Sequence, residues 1–245
     1  MNRSILRLVA PVVASTLLAL SARADQPSAP PDSPAPTRAP FTLQLGERGV
    51  PAVVVPPLVP QAGPAPMVLM LHGMCDTPEN ECPAFGGSAT AGRFVVCPRA
   101  DLACTGGGAT WSARPDARAR LVDDLAAGAK ASLEIDASRR TLVGFSLGAF
   151  VALDAAERQK GGWKHLVLIG ARVHPDAKKL KAAGVERVLL ASGRHDLARD
   201  HMARVAKQLE AAGIVATYRS LGPVGHRFAP DMNAWLTEAL AWLEG

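Results

Sequence analysis

Residues Thr141–Phe150, Thr-Leu-Val-Gly-Phe-Ser-Leu-Gly-Ala-Phe, leave the backbone very few paths. Thr141-Leu142-Val143 reads as a short buried strand, and the chain from Leu147 to about Lys160 reads as a helix. Between them lies only Gly144-Phe145-Ser146-Leu147-Gly148, a match to G-x-S-x-G. Passing from strand to helix so abruptly forces the central residue into a strained conformation. Gly144 and Gly148 answer that demand, because side chains at those positions would collide across the turn. The same strain carries the Ser146 hydroxyl out above the end of the strand. In a chain with 22 glycines the pentapeptide alone is weak; the strand before it and the helix after it give it meaning.

The rest of the chain supplies a setting for that turn. Phe41–Leu45 and Val50–Val55 read as an edge hairpin, with prolines at 51, 56, 57 and 60 suited to edge and loop positions. Met67–Leu71 and Arg93–Cys97 are continuous apolar runs of the kind buried on both faces of a parallel sheet. A helix opening at Pro115-Asp116 carries Leu121, Val122, Leu125 and Leu133 at helical spacing. Strands over Lys164–Ile169, Glu186–Ala191 and Ile214–Leu221 then alternate with helices over Pro175–Ala183, Leu197–Ala212 and Pro230–Leu243. This alternation predicts an α/β fold, a mostly parallel central sheet with helices on both faces. A length of 245 residues suits one such domain, placed at 41–245.

Residues 1–24 read as a signal peptide: a basic start with Arg3 and Arg7, an apolar run from Leu8 to Leu20, and Ala22-Arg23-Ala24 before the cleavage point. The run is shorter than the roughly 20 residues a membrane span needs, so no stable span is expected after cleavage. Residues 25–40, rich in Pro and Ala, read as a linker. Removing Arg3, Arg7 and Arg23 from the 27 Lys and Arg leaves 24 basic against 22 acidic residues, too even a balance to suggest nucleic acid as a partner. The expected location is the periplasm or the exterior. There Cys75, Cys82, Cys97 and Cys104 would form disulfides, with zinc ligation as the competing reading. Of three connectivities, the local one, Cys75 with Cys82 and Cys97 with Cys104, is preferred.

A serine hydroxyl is a poor nucleophile unless a base accepts its proton and an acid orients the base. Two loops after later strands provide these: Ser192-Gly193-Arg194-His195-Asp196 places Asp196 beyond one strand, and Gly225-His226-Arg227 places His226 beyond the last. Catalytic groups belong at such carboxyl ends. The set Ser146, Asp196, His226 is thus the expected catalytic triad. His195 would break the chain order, His201 falls in a helix, Asp200 and Asp231 read as helix-start charges, and His165 and His174 lie in no motif. An oxyanion also needs donors. The Leu147 amide supplies one at a helix start; Met74, after His72-Gly73, supplies the second, with Cys75 as the alternative. His72 is expected to brace this loop through its imidazole. No metal or organic cofactor is required by such chemistry.

Leu71-His72-Gly73-Met74, Gly144-Phe145-Ser146-Leu147-Gly148, Ser192–Asp196 and Gly225-His226 together resemble the α/β-hydrolase superfamily over residues 41–245. Within it the chain looks most like small carboxylesterases, dienelactone hydrolases and esterase-type depolymerases. The resemblance implies an exported serine hydrolase cleaving carboxylic esters or thioesters through an acyl-enzyme. A prolyl-oligopeptidase-like peptidase and a non-catalytic envelope binding protein are the alternatives. Many relatives insert a cap after the strand equivalent to Lys164–Ile169; the short segment here implies none, and so an open, shallow site for small-molecule esters or exposed acyl groups. The Cys97–Trp111 loop is expected near that site.

Overall fold

The computed structural model describes residues 39–245; the expected signal peptide, and the linker up to residue 38, lie outside the described residues. β1 (Phe41–Leu45) and β2 (Val50–Val55) form the expected hairpin, followed by β3 (Ala65–Leu71). Then come a short helix α1 (Pro78–Glu81), a 3-10 segment (Cys82–Ala91) and β4 (Phe94–Pro98). A small ribbon, β5 (Leu102–Ala103) with β6 (Ala109–Thr110), precedes α2 (Pro115–Ser132). The remainder alternates: β7 (Ile135–Phe145), α3 (Leu147–Arg158), β8 (His165–Ile169), α4 (Ala177–Ala183), β9 (Arg187–Ser192), α5 (Arg199–Ala211), β10 (Val215–Ser220) and α6 (Met232–Glu244).

Eight strands form one sheet in the order β1-β2-β4-β3-β7-β8-β9-β10. β1 and β2 are antiparallel, β2 runs antiparallel to β4, and every pairing from β4 to β10 is parallel. Side chains alternate between the two faces of each central strand, as strand geometry requires. Leu69, Leu142, Leu166, Leu168, Val188 and Leu190 enter one core with Leu121 and Leu125 of α2, Ala152 of α3, Leu180 of α4 and Met202 of α5. Met70, Val143, Val167, Ile169 and Leu189 enter the other with Leu236 and Leu240 of α6 and Phe85 of the 3-10 segment. Burial on both faces explains why these strands read as unbroken apolar runs rather than alternating ones.

The connections locate the site. The chain leaves β3 toward β4 across one face, and leaves β7 toward β8 through α3 on the other. Between β3 and β7 the loops therefore diverge and open a crevice at the carboxyl ends. Ser146 follows β7, and His72 follows β3. From Ile169 to Arg187 the chain holds only α4 and its flanks, so no cap domain covers the crevice. No helix among the described residues is long and apolar enough to cross a membrane.

The cysteines correct one expectation. Cys75 pairs with Cys104, and Cys82 with Cys97, rather than with their sequence neighbours. Cys82 begins the 3-10 segment and is fully buried, and Cys97 points from β4 into the same core. The β5–β6 ribbon then swings Cys104 back over Cys75, with Ala109 N–H bonded to the Asp76 carbonyl at 3.0 Å. Spacing along the chain carries no record of that fold-back. With all four sulfurs paired, none is left as a thiolate for zinc. Several element starts also differ: β3 begins at Ala65, and α4 and α6 begin two residues late, at Ala177 and Met232. β7 begins at Ile135, well before Thr141, and α5 begins at Arg199, not Leu197.

Candidate active site

Ser146 sits at φ +53°, ψ −116°, outside the ordinary regions for an L-residue. The only other non-glycine residue with positive φ among the described residues is Cys75, at +56°. Strain of this kind costs on the order of 1–3 kcal/mol and persists where surroundings dictate it. Here the surroundings are tight: a Cβ on Gly144 would lie 2.2 Å from the Gly148 carbonyl oxygen. One on Gly148 would lie 2.1 Å from the Leu71 carbonyl oxygen and 2.6 Å from that of His72. Gly148 thus lets α3 press directly on the end of β3. Ser146 N–H is itself anchored on the Ile169 carbonyl at 2.8 Å.

The three residues expected from the loops meet. Ser146 Oγ–H donates to His226 Nε2 at 3.0 Å, and His226 Nδ1–H donates to Asp196 Oδ2 at 2.8 Å. The Asp196 side chain is 5% exposed, and its other oxygen accepts the Ala198 N–H at 2.8 Å. That bond makes Asp196 close its own turn, which is why the helix starts two residues later than its apolar pattern suggests. Two backbone bonds fix the Asp196 and His226 loops to each other: Arg194 N–H to the Gly222 carbonyl (2.9 Å) and His195 N–H to the Val224 carbonyl (3.0 Å).

His226 rests on an aromatic shelf that the sequence did not announce. Its ring stacks on Phe145 at 5.0 Å, Phe145 contacts Phe228 at 4.5 Å, and Phe228 meets Phe85 edge-on at 5.2 Å. The middle residue of Gly-x-Ser-x-Gly and an aromatic two places after the histidine were the available signals. Gly170 leaves room for the ring, since a Cβ there would stand 3.1 Å from His226 Cε1.

His72 braces the loop before the crevice, as expected. It is 1% exposed; its Nδ1–H donates to the Gly73 carbonyl at 2.8 Å and its Nε2 accepts the Ala100 N–H at 3.0 Å. Both bonds need the neutral ring. Burial, opposed by the bond to Gly73, holds the imidazole below its ordinary value. Trp111 packs on His72 at 5.1 Å and donates its Nε1–H to the His72 carbonyl at 2.8 Å. Because a trans peptide is planar, tying down the Gly73 carbonyl also sets the direction of the Met74 N–H. Leu147 opens α3, so its N–H has no intrahelical acceptor.

Removing the Cys75–Cys104 bridge by a double Ala substitution is expected to cost roughly 3 kcal/mol of stability in urea unfolding. It should also lower turnover, because the bridge anchors the strained residue next to Met74. The Cys82–Cys97 pair should cost a similar amount without that direct effect.

Beside Ser146 lies an open hollow of about 400 Å³, lined by Phe150, Gly170–Arg172, His195–Ala198 and His226. Leu197 is almost wholly exposed at its rim. The Cys97–Trp111 loop, expected near the site, braces His72 and is not among the residues lining this hollow. A larger hollow of about 620 Å³ lies near the start of β7, among Gln61, Lys130 and Arg139, away from these groups. Of the other weighed residues, His195 lines the hollow beside Ser146, while Asp200, Asp231 and His201 fall outside the site. Asp200 pairs with Arg199 on the surface, and Asp231 caps α6 through Ala234 N–H at 3.0 Å. His201 is half-buried, its ring bonded to the Val173 carbonyl and set edge-on to His174.

No protein-family model and no curated protein matches the chain. Solved structures do. Esterase PE8 is 23% identical, with 78% of this chain and 97% of that one covered at a TM-score of 0.62. The fluorophosphonate-binding serine hydrolase F of Staphylococcus aureus is 12% identical, covering 84% and 98% at 0.64. A ferulic acid esterase is 15% identical, covering 84% and 96% at 0.65. Identities this low speak for architecture alone, and residues 39–245 accordingly have the α/β-hydrolase fold.

Proposed function

We propose that this chain is a serine hydrolase cleaving carboxylic esters or thioesters through an acyl-enzyme. One observation carries the reading: the unbroken hydrogen-bonded chain from a strained Ser146 through His226 to buried Asp196. His226 takes the Ser146 proton as Oγ attacks the carbonyl carbon, and Asp196 holds the ring in the tautomer that makes Nε2 the acceptor. The Met74 and Leu147 N–H groups hold the oxyanion of the tetrahedral intermediate. His226 then returns the proton to the departing alkoxide or thiolate, leaving the acyl group on Ser146. Water repeats the sequence and frees the acid. A scaffold without turnover would have no use for backbone strain at this serine.

The capless crevice favours small or solvent-accessible esters over long buried chains. Two disulfides and a basic, apolar leader over residues 1–24 support export to the periplasm or beyond. A panel of p-nitrophenyl esters and matching p-nitroanilides tests both parts. Short acyl esters are expected to turn over at least about tenfold faster than those of ten or more carbons, and anilides far more slowly than either. Turnover confined to long chains would remove the open-site reading, and faster anilides would shift the chain to the peptidases.

A further inference from the structure

The loop His72–Asp76 shapes one side of the crevice, and buried side chains hold three of its backbone atoms. Trp111 donates to the His72 carbonyl, His72 donates to the Gly73 carbonyl, and the Gly73 N–H donates to Glu81 Oε1 at 2.9 Å. Glu81 ends α1 and is only 4% exposed, although in Pro-Glu-Asn-Glu it reads as a surface charge. Its second oxygen, Oε2, is buried with no donor directed at it. The Asp76 carboxyl lies within hydrogen-bonding reach of the Glu81 carboxyl. Asp76 already accepts two hydrogens on Oδ1, from Thr77 N (2.8 Å) and Asn80 Nδ2 (2.9 Å).

Two carboxyl groups in contact inside a protein share one proton rather than ionise together. The donors decide its place. Burial would raise Asp76, but bonds from Asn80, Thr77 and Glu81 outweigh it and keep it below its ordinary value. Glu81 is driven the other way, chiefly by burial and further by Asp76, against the single bond from Gly73, and is pushed up to about 8. With its proton on Oε2, Glu81 donates to Asp76 while Oε1 still accepts from Gly73. The buried oxygen is then satisfied.

Glu81 also stands close to the chemistry. A Cβ on Gly73 would lie 3.2 Å from Glu81 Oε1 and 3.6 Å from Ser146 Cβ, so the carboxyl and the nucleophile both border that glycine. We propose that Glu81 is a positioning residue for the oxyanion site, its carboxyl linking the Gly73 N–H to Asp76 and so fixing the His72–Gly73 peptide, which leads into the Gly73–Met74 peptide that presents the Met74 N–H. This inference rests on the serine-hydrolase reading above. Loss of the link orphans a buried N–H and loosens the His72–Gly73 peptide, so that the Met74 N–H is held only through the His72 bond to the Gly73 carbonyl. The carbonyl of bound substrate loses little by that; the oxyanion loses much, because the donor matters most where charge develops.

The test compares wild type, Glu81→Ala and Glu81→Gln, with reactive serines counted by a fluorophosphonate so that rates refer to labelled sites. Glu81→Ala is expected to lower kcat about 10- to 100-fold with KM within about twofold, somewhat less than loss of a whole oxyanion donor. Gln copies the protonated carboxyl, accepting from Gly73 and donating to Asp76, and should restore most of kcat. A pH profile separates positioning from bulk structure. Of the charged groups around Glu81, Asp76 faces it directly and remains ionised throughout; His72 beyond is neutral at alkaline pH, with Glu79 and Arg99 flanking. Ionisation of Glu81 therefore adds a negative charge beneath the forming oxyanion. Wild-type kcat should fall as pH rises past about 8, and the Gln variant should lack that fall. An unchanged kcat in Glu81→Ala, a change in KM alone, or superimposable wild-type and Gln profiles overturns the inference. Should the Ala variant not fold, the Gln profile decides. Failure of wild type to label overturns the hydrolase reading, and this inference with it.

Discussion

Ser146→Ala is expected to lower ester turnover by at least about 10⁴-fold while leaving the fold and its stability nearly intact. Among the described residues the Ser146 hydroxyl is the one bonded to His226 Nε2, so no neighbour can take over the attack. What survives would be water attacking a substrate held beside the two oxyanion amides. Stability should change little, or rise slightly, because Ala still adopts the strained backbone and loses only one half-exposed hydroxyl. Steady-state kinetics on a p-nitrophenyl ester, paired with urea unfolding, measure both. A residual rate within tenfold of wild type would move the nucleophile elsewhere.

Gly148→Ala should produce the largest effect on folding. The added Cβ meets the Leu71 and His72 carbonyl oxygens at 2.1 and 2.6 Å, and these are backbone atoms of a central strand that cannot swing aside. Either α3 lifts off β3 or the turn at Ser146 opens. Overpacking of flexible side chains costs about 1–3 kcal/mol, and a rigid backbone contact should cost at least about 3. The urea midpoint should fall accordingly, with insoluble expression as the extreme. Gly161→Ala is a useful contrast: nothing stands within 4 Å of that position, so only its φ of +67° opposes the change. A Gly148→Ala variant as stable as wild type would contradict the tight-turn account.

Much of this architecture was legible because the physics is local or periodic. Leu142 and Val143, or Leu166 and Val167, give unbroken apolar runs because each strand is covered on both faces. Ser146, Asp196 and His226 could be placed because a parallel sheet gathers its strand ends on one side, whatever the side chains in between. The disulfide pairing was not legible. It depends on a ribbon of four residues folding Cys104 over Cys75, and such short strands carry no periodicity. Glu81 was missed for a related reason: in sequence it is one carboxylate in a polar helical turn, and only the packing of α1 against the loop after β3 buries it. The start of α5 was misplaced because Asp196 uses its own carboxylate to close a turn before the helix. In the first two cases a long-range contact outvotes the local pattern, and in the third a side-chain bond two residues along does.

The central claim is that Ser146 is an activated nucleophile. Incubating the protein with a fluorophosphonate and mapping the adduct by peptide mass spectrometry tests it most directly. The account predicts one adduct per chain, on Ser146 in the peptide containing Gly144–Gly148, abolished in Ser146→Ala and strongly slowed in His226→Ala. No adduct on wild type, or an adduct that persists in Ser146→Ala, would contradict it.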